Sequence, residues 1–199
     1  MKMGRDIQSV VRLANGHTLL GSRHGIIELD RDNRKTADPV YGLGGFFRLL
    51  RVTKDGHFLY TSGPTTVREI KRDGTEVRGI DLTKLTPESR KPYFAEELQD
   101  GSVLVSTGYG ATVLILDRDW KLIRSFGGKG NVNGVKTHFF GDAQRLENGN
   151  IVVAHWTGHG RKDSGKAPQA IEFGKRGNVV WTWHDPKRAG TLHGIEAIE

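Results

Sequence analysis

The chain has 199 residues, none of them cysteine, and carries 30 Lys and Arg against 23 Asp and Glu for a net charge of +7. That length suits one domain with its own core, and the missing cysteine excludes disulfides and thiolate chemistry. No stretch approaches the roughly 20 apolar residues of a membrane-spanning helix, and Met1-Lys2-Met3-Gly4-Arg5-Asp6 lacks the apolar region of a signal peptide.

The first predicted strand, Ile7 to Leu13, ends in the turn Leu13-Ala14-Asn15-Gly16. Strands at Thr18 to Gly21 and Ile26 to Leu29 follow, then a turn at Arg31-Asp32-Asn33 and a fourth strand expected near Lys35 to Tyr41. The same order returns as Phe46 to Val52, Phe58 to Ser62, Val67 to Ile70 and Glu76 to Gly79. Leu82 to Pro92 reads as a solvated connector, with one helical turn capped at Thr86 as the alternative. A third unit comprises Tyr93 to Leu98, Val103 to Thr107, Val113 to Leu116 and Lys121 to Phe126. A fourth comprises Phe139 to Leu146, Ile151 to Trp156, Ala170 to Phe173 and Asn178 to His184, and a last strand-like run spans Leu192 to Ile198.

Asn-Gly and Asp-Gly pairs between apolar runs are strong hairpin signals, because both residues tolerate the positive φ of a tight turn. The turn glycines Gly16, Gly56, Gly101 and Gly149 are spaced by 40, 45 and 48 residues. A period of that length with two hairpin turns reads as a four-stranded blade. The predicted fold class is therefore all-β, a single β-propeller domain over residues 1–199. Its four-stranded antiparallel blades fall at about 7–41, 46–79, 93–126 and 139–184, with one extra C-terminal strand at 192–198. An unpaired strand edge invites partners, so that last strand is expected to complete the ring or to pair with a second copy of the chain.

From Gly141 to Ile198 the order of features resembles the C-terminal end of quinoprotein-like bacterial β-propellers. The resemblance is carried by Arg145 to Ala154, Gly158-His159-Gly160, Gln169 to Phe173 and Gly177 to Trp181. The repeat is also similar to that of arylsulfotransferase-type propellers. It covers the whole chain as a pattern and the last blade more closely, and it implies export to the periplasm or the cell exterior. Pyrroloquinoline-quinone enzymes of that class carry an Ala-x-Asp-x-x-Thr-Gly-x-x-x-Trp repeat, with a vicinal cysteine pair or metal-binding acids. Neither feature is present here, so no pyrroloquinoline quinone and no other organic cofactor is expected.

Propeller topology places the loops between second and third strands, and those between blades, on one face around the channel mouth. The longest of these loops runs from His155 to Lys166. The candidate ligand-binding residues are His24, Arg48, Tyr109, His138, His155, Trp156, His159 and His193, with Glu96, Asp142, Gln144 and Glu196 added by inner strands. Imidazole and carboxylate suit a divalent metal, for which His155, His159, His193 and Glu96 are the candidate ligands. Alternatively, His155, His159, Tyr109 and Arg48 are candidate catalytic groups, Arg neutralising a uronate carboxylate while His or Tyr moves a proton. Sulfuryl transfer by a nucleophilic His is implied by the arylsulfotransferase resemblance alone.

The favoured reading is a ligand- or partner-binding propeller, with a lyase or hydrolase acting on an anionic carbohydrate as the enzyme alternative. Expected partners are a small molecule or an anionic glycan, and a second copy of the chain through the last strand. A membrane is not expected, and scattered charge does not favour nucleic acid. Trp181 and Trp183 alternate along one strand and are expected to pack between blades.

Overall fold

The computed structural model describes residues 6–36, 38–40, 43, 46–89 and 91–198. Strands β1 (Ile7–Arg12), β2 (Thr18–Ser22) and β3 (Gly25–Leu29) form the first antiparallel sheet. The second contains β4 (Phe47–Val52), β5 (Phe58–Ser62), β6 (Thr66–Ile70) and β7 (Glu76–Asp81). The third contains β8 (Phe94–Glu97), β9 (Val103–Ser106), β10 (Thr112–Leu116) and β11 (Leu122–Gly127). After the hairpin β12 (Gly130–Val132) and β13 (Val135–Thr137), the fourth is built from β14 (Phe139–Arg145), β15 (Ile151–Trp156), β16 (Ala170–Phe173) and β17 (Val179–Trp183). Innermost strands lie side by side, β1 against β4, β4 against β8 and β8 against β14. The arrangement is a β-propeller of four blades.

Middle strands are apolar on both faces because each blade is packed on both sides, as in β5, where Phe58, Leu59 and Tyr60 are all buried. Phe58 and Tyr60 join Leu19, Ile26, Phe47 and Leu50 between the first two blades, whereas Leu59 joins Val67, Val105, Leu114 and Leu116 on the opposite side. A third cluster, with Phe94, Phe140, Val153, Ile171 and Phe173, fills the space between blades three and four. Each large side chain removed from water in these layers contributes about 1.5–3 kcal/mol.

The first turn of each unit has one geometry. Gly16, Gly56, Gly101 and Gly149 have φ of 83, 79, 81 and 82°. Their N–H groups donate to the carbonyls of Leu13, Thr53, Leu98 and Leu146. Only the glycine takes positive φ; the preceding Asn15, Asp100 or Asn148 instead accepts through its side chain from the N–H two residues on. Arginines brace these turns, with Arg31, Arg72 and Arg118 donating to the carbonyls of Asn15, Gly56 and Asp100. Others link blades: Arg78 donates to the carbonyl of Arg118, Arg124 to that of Lys175, and Arg145 pairs with Asp100 at 2.7 Å.

Several expectations are corrected. The fourth strand of blade one is replaced by two isolated bridges, Leu29 with Lys35 and Ile26 with Val40, because Pro39 interrupts a ladder; Ala37 and Tyr41 lie outside the described residues. The connector contains a 3-10 turn, but at Leu82–Lys84 and capped by Asp81 rather than Thr86, with Leu82 buried. Residues 192–198 take the place expected of the extra strand beside β14 without forming a ladder. The Asp142 N–H donates to the His193 carbonyl, and both ends of the Gln144 amide bond the Ala197 backbone. Trp181 is 48% exposed on the outer strand β17, so it does not pack between blades.

Candidate functional site

Trp156, at the end of β15, is 4% exposed and stacks with two imidazoles. His138 stacks on it at 5.7 Å and His193 at 5.6 Å between ring centroids. His193 in turn stacks on Tyr93 at 5.6 Å, while Tyr109, Phe139 and His159 meet Trp156 edge-on. The result is one aromatic cluster built from blades three and four and the C-terminal segment.

Arg48, in β4, stands at the edge of this cluster. Its guanidinium lies 4.0 Å from the Phe46 centroid and 5.9 Å from that of Tyr93. It donates to Gln8 Oε1 and to the Phe47 carbonyl, and among the described residues no carboxylate comes within ion-pair distance of it. Burial pushes its pKa down, and the rings of Tyr93 and Tyr109 oppose that shift. Lys91, over Phe46 and Tyr109, completes the cationic side. With His159 and His193 these groups line a cavity of about 180 Å³ at the mouth.

A larger cleft of about 520 Å³ adjoins it, and Tyr109, Trp156 and His159 line both. Its walls are the β12–β13 hairpin, carrying Lys129 and Lys136 on its flanks, and the loop from Thr157 to Ala167. A 3-10 turn at Arg161–Gly165 shapes that loop, and Asp163 fixes it by accepting from the Gly160 N–H and pairing with Lys166 at 2.5 Å. Burial, then the charges of Lys129, Lys166 and Lys136, hold the His138 pKa below its usual value. Burial, Arg48 and His159 do the same for His193, so both imidazoles are neutral at pH 7.

Of the sequence-predicted residues, Arg48, Tyr109, His138, Trp156, His159 and His193 converge here. His155 does not offer its ring. It is fully buried, its Nε2 accepts from the His138 N–H, and its Nδ1 donates to the Pro168 carbonyl. Both ring nitrogens are thus taken up by the backbone, and burial drives its pKa down to about 4, so the ring is a neutral, hydrogen-bonded part of the cleft wall. His24 sits in the tight turn of blade one beside Asp6 at 3.4 Å, away from both cavities. Glu96 faces Arg51 near Asp142, apart from the histidines. Among the described residues no three His, Cys, Asp or Glu side chains form a metal-holding group. Sequence reasoning missed Lys91, Tyr93, Lys129, Lys136 and Thr157. The lysines of the hairpin were findable, because Asn133-Gly134 between Val132 and Val135 is itself a hairpin signal.

No family model matches the chain, and no curated protein matches it by sequence. Its fold is similar to that of a Bacteroides caccae protein of unknown function, with a TM-score of 0.75 and 22% identity over 94% of this chain and 70% of that one. It is also similar to virginiamycin B lyase from Staphylococcus aureus, with a TM-score of 0.64 and 13% identity over 92% of this chain and 56% of the enzyme. That enzyme has also been solved as a catalytically inactive histidine-to-alanine variant with quinupristin. A third likeness, with a TM-score of 0.62 and 15% identity, is to the extracellular domain of a protein described as a hybrid two component system from B. thetaiotaomicron; it covers 90% of this chain and 23% of that one. The chain thus spans about half of the lyase and about a quarter of the two-component protein's domain, and these likenesses establish the propeller fold.

Proposed function

We propose that the protein binds an anionic small molecule or glycan at the channel mouth. The observation that carries this reading is Arg48, a half-buried guanidinium with no carboxylate partner among the described residues, set beside Lys91 and a wall of aromatic rings. A desolvated cation without a counter-ion is a standing site for a carboxylate, sulfate or phosphate, and its fork suits bidentate binding. Tyr93 and Tyr109 line the same cavity and can offer ring edges and hydroxyls to a sugar. The reading includes export, in keeping with the extracellular domains among similar solved propellers. The quinoprotein-like and arylsulfotransferase-like pattern contributes the repeat alone.

The test is calorimetric titration with glucuronate and galacturonate. Arg48→Gln should weaken binding by about tenfold or more, as expected for losing a charge-assisted pair worth roughly 1.5–3 kcal/mol. Unchanged affinity in a variant with an unchanged melting curve overturns the reading.

A second reading is favoured by one observation: neutral His193 lies beside Arg48 and against Tyr93. A neutral imidazole next to an arginine that holds a carboxylate is equipped to take the acidic proton of the adjacent carbon, as a lyase requires. Absorbance of unsaturated products from uronate polysaccharides reports it; loss of that signal in His193→Gln supports it, and absence of any signal removes it.

A further inference from the structure

We infer that the site takes an acidic oligosaccharide of at least two charged units, one acidic group meeting Arg48 at the mouth and the next meeting Lys129 and Lys136 in the cleft. This rests on the anion-binding reading of the mouth and extends it to the class of ligand. The mouth, at about 180 Å³, falls below the roughly 300–1,000 Å³ usual for a ligand pocket, whereas the cleft beside it, at about 520 Å³, falls within that range. The two share Tyr109, Trp156 and His159, so a ligand can cross from one to the other over continuous lining.

Charge in the cleft is arranged like charge at the mouth. Among the described residues Lys129 and Lys136 make no ion pair, and the one cleft carboxylate, Asp163, is engaged by Lys166 and by the Gly160 N–H. Thr157 adds a hydroxyl-bearing side chain to the cleft wall. It is 6% exposed, lines the cleft, and its hydroxyl has no hydrogen-bond partner. A buried hydroxyl left unpaired costs about 1–3 kcal/mol, a cost that a ligand hydroxyl would remove once the Thr157 side chain turns its oxygen toward the cleft.

The pattern of cation, hydroxyl, cation fits a chain whose acidic groups are separated by hydroxyls. A single-stranded nucleic acid fits less well, because base stacking needs open ring faces. Here Trp156 is buried and already stacked against the His138 and His193 imidazoles, and Tyr93 is stacked against His193.

The experiment compares binding of galacturonate with its tetramer, of glucuronate with a heparin-type tetrasaccharide, and of mannuronate with its alginate-type tetramer, with an oligothymidine of eight units alongside. The tetramer of at least one series should bind on the order of tenfold or more tighter than its monomer, through the effective concentration of the second subsite. In the double variant Lys129→Glu/Lys136→Glu, both exposed positions, that ratio should fall to about one, and Thr157→Val should reduce it about two- to threefold. In Arg48→Gln, monomer and tetramer should weaken together. If monomer and tetramer bind alike, if the double variant keeps the ratio, if no tetramer binds, or if the oligothymidine binds tightest, the inference is overturned. If Arg48→Gln leaves both affinities unchanged, it is the reading of the mouth that fails.

Discussion

His155 carries a sequence signal for chemistry and a structural position that forbids it. Its spacing from His159 suggests a ligand pair, yet β15 directs its ring into the blade while His159 projects from the loop beyond. Alternation along a strand decides the matter, and where a regular strand gives way to a loop is poorly written in residue types. A pH dependence follows. The folded protein keeps this imidazole neutral down to about pH 4, whereas the unfolded chain takes up a proton near 6.5. Stability is therefore complete above pH 6.5 and declines as the pH falls towards 4, by about 3 kcal/mol from this group. His138 and His193 act in the same direction. Urea unfolding at a series of pH values should show the decline, and His155→Gln should flatten it while lowering stability at pH 7 by about 1–3 kcal/mol through its lost hydrogen bonds.

At the scale of elements, the four units were legible because their turns repeat at even spacing, and strands such as β5, β15 and β16 fall where apolar runs placed them. What the residue pattern did not carry was how the last segment, placed at 192–198, is held: by single side chains and one backbone contact instead of a ladder. The C-terminal segment is attached through Gln144 and through close approach at Gly141, where an added Cβ would lie 2.6 Å from the His193 carbonyl oxygen. That collision is with backbone, so Gly141→Ala should push the segment off β14. Hydrogen exchange should rise over 193–198, and His193 should leave its place between Trp156 and Tyr93. Unchanged protection there would show the segment to be held by other contacts. The hairpin offers the opposite case. An added Cβ at Gly134, φ 82°, meets nothing within 4 Å. Gly134→Ala should therefore cost only the backbone strain of about 1–2 kcal/mol, confined to exchange over 130–137.

For the whole molecule, the basic surplus suggested a surface for anions, yet much of it is spent on structure. Arginine donors brace turns and bind one blade to the next, and Arg51 joins three blades at the axis. Its guanidinium stands 3.3 Å from Asp142 and 3.9 Å from Glu96, over the ring of Phe94. Burial raises both carboxyl pKa values and Arg51 opposes that rise. Arg51→Met should therefore destabilise by about 2–3 kcal/mol at pH 7, because Asp142 loses its cation. The deficit should shrink as the pH is lowered through the carboxyl range, since the stranded groups then take up protons in the folded state. Denaturant midpoints across that range measure it, and a deficit independent of pH would assign the loss to packing alone.

Arg78 and Arg124 each reach from the rim of one repeat to a main-chain oxygen in the next. Such a fastener depends on the path of the receiving backbone and on no particular side chain there. Substitution can sweep through the receiving turn while these two seams, between blades two and three and between blades three and four, stay shut. Variation is thereby freed to collect on the opposite face, where the mouth and its adjoining cleft lie.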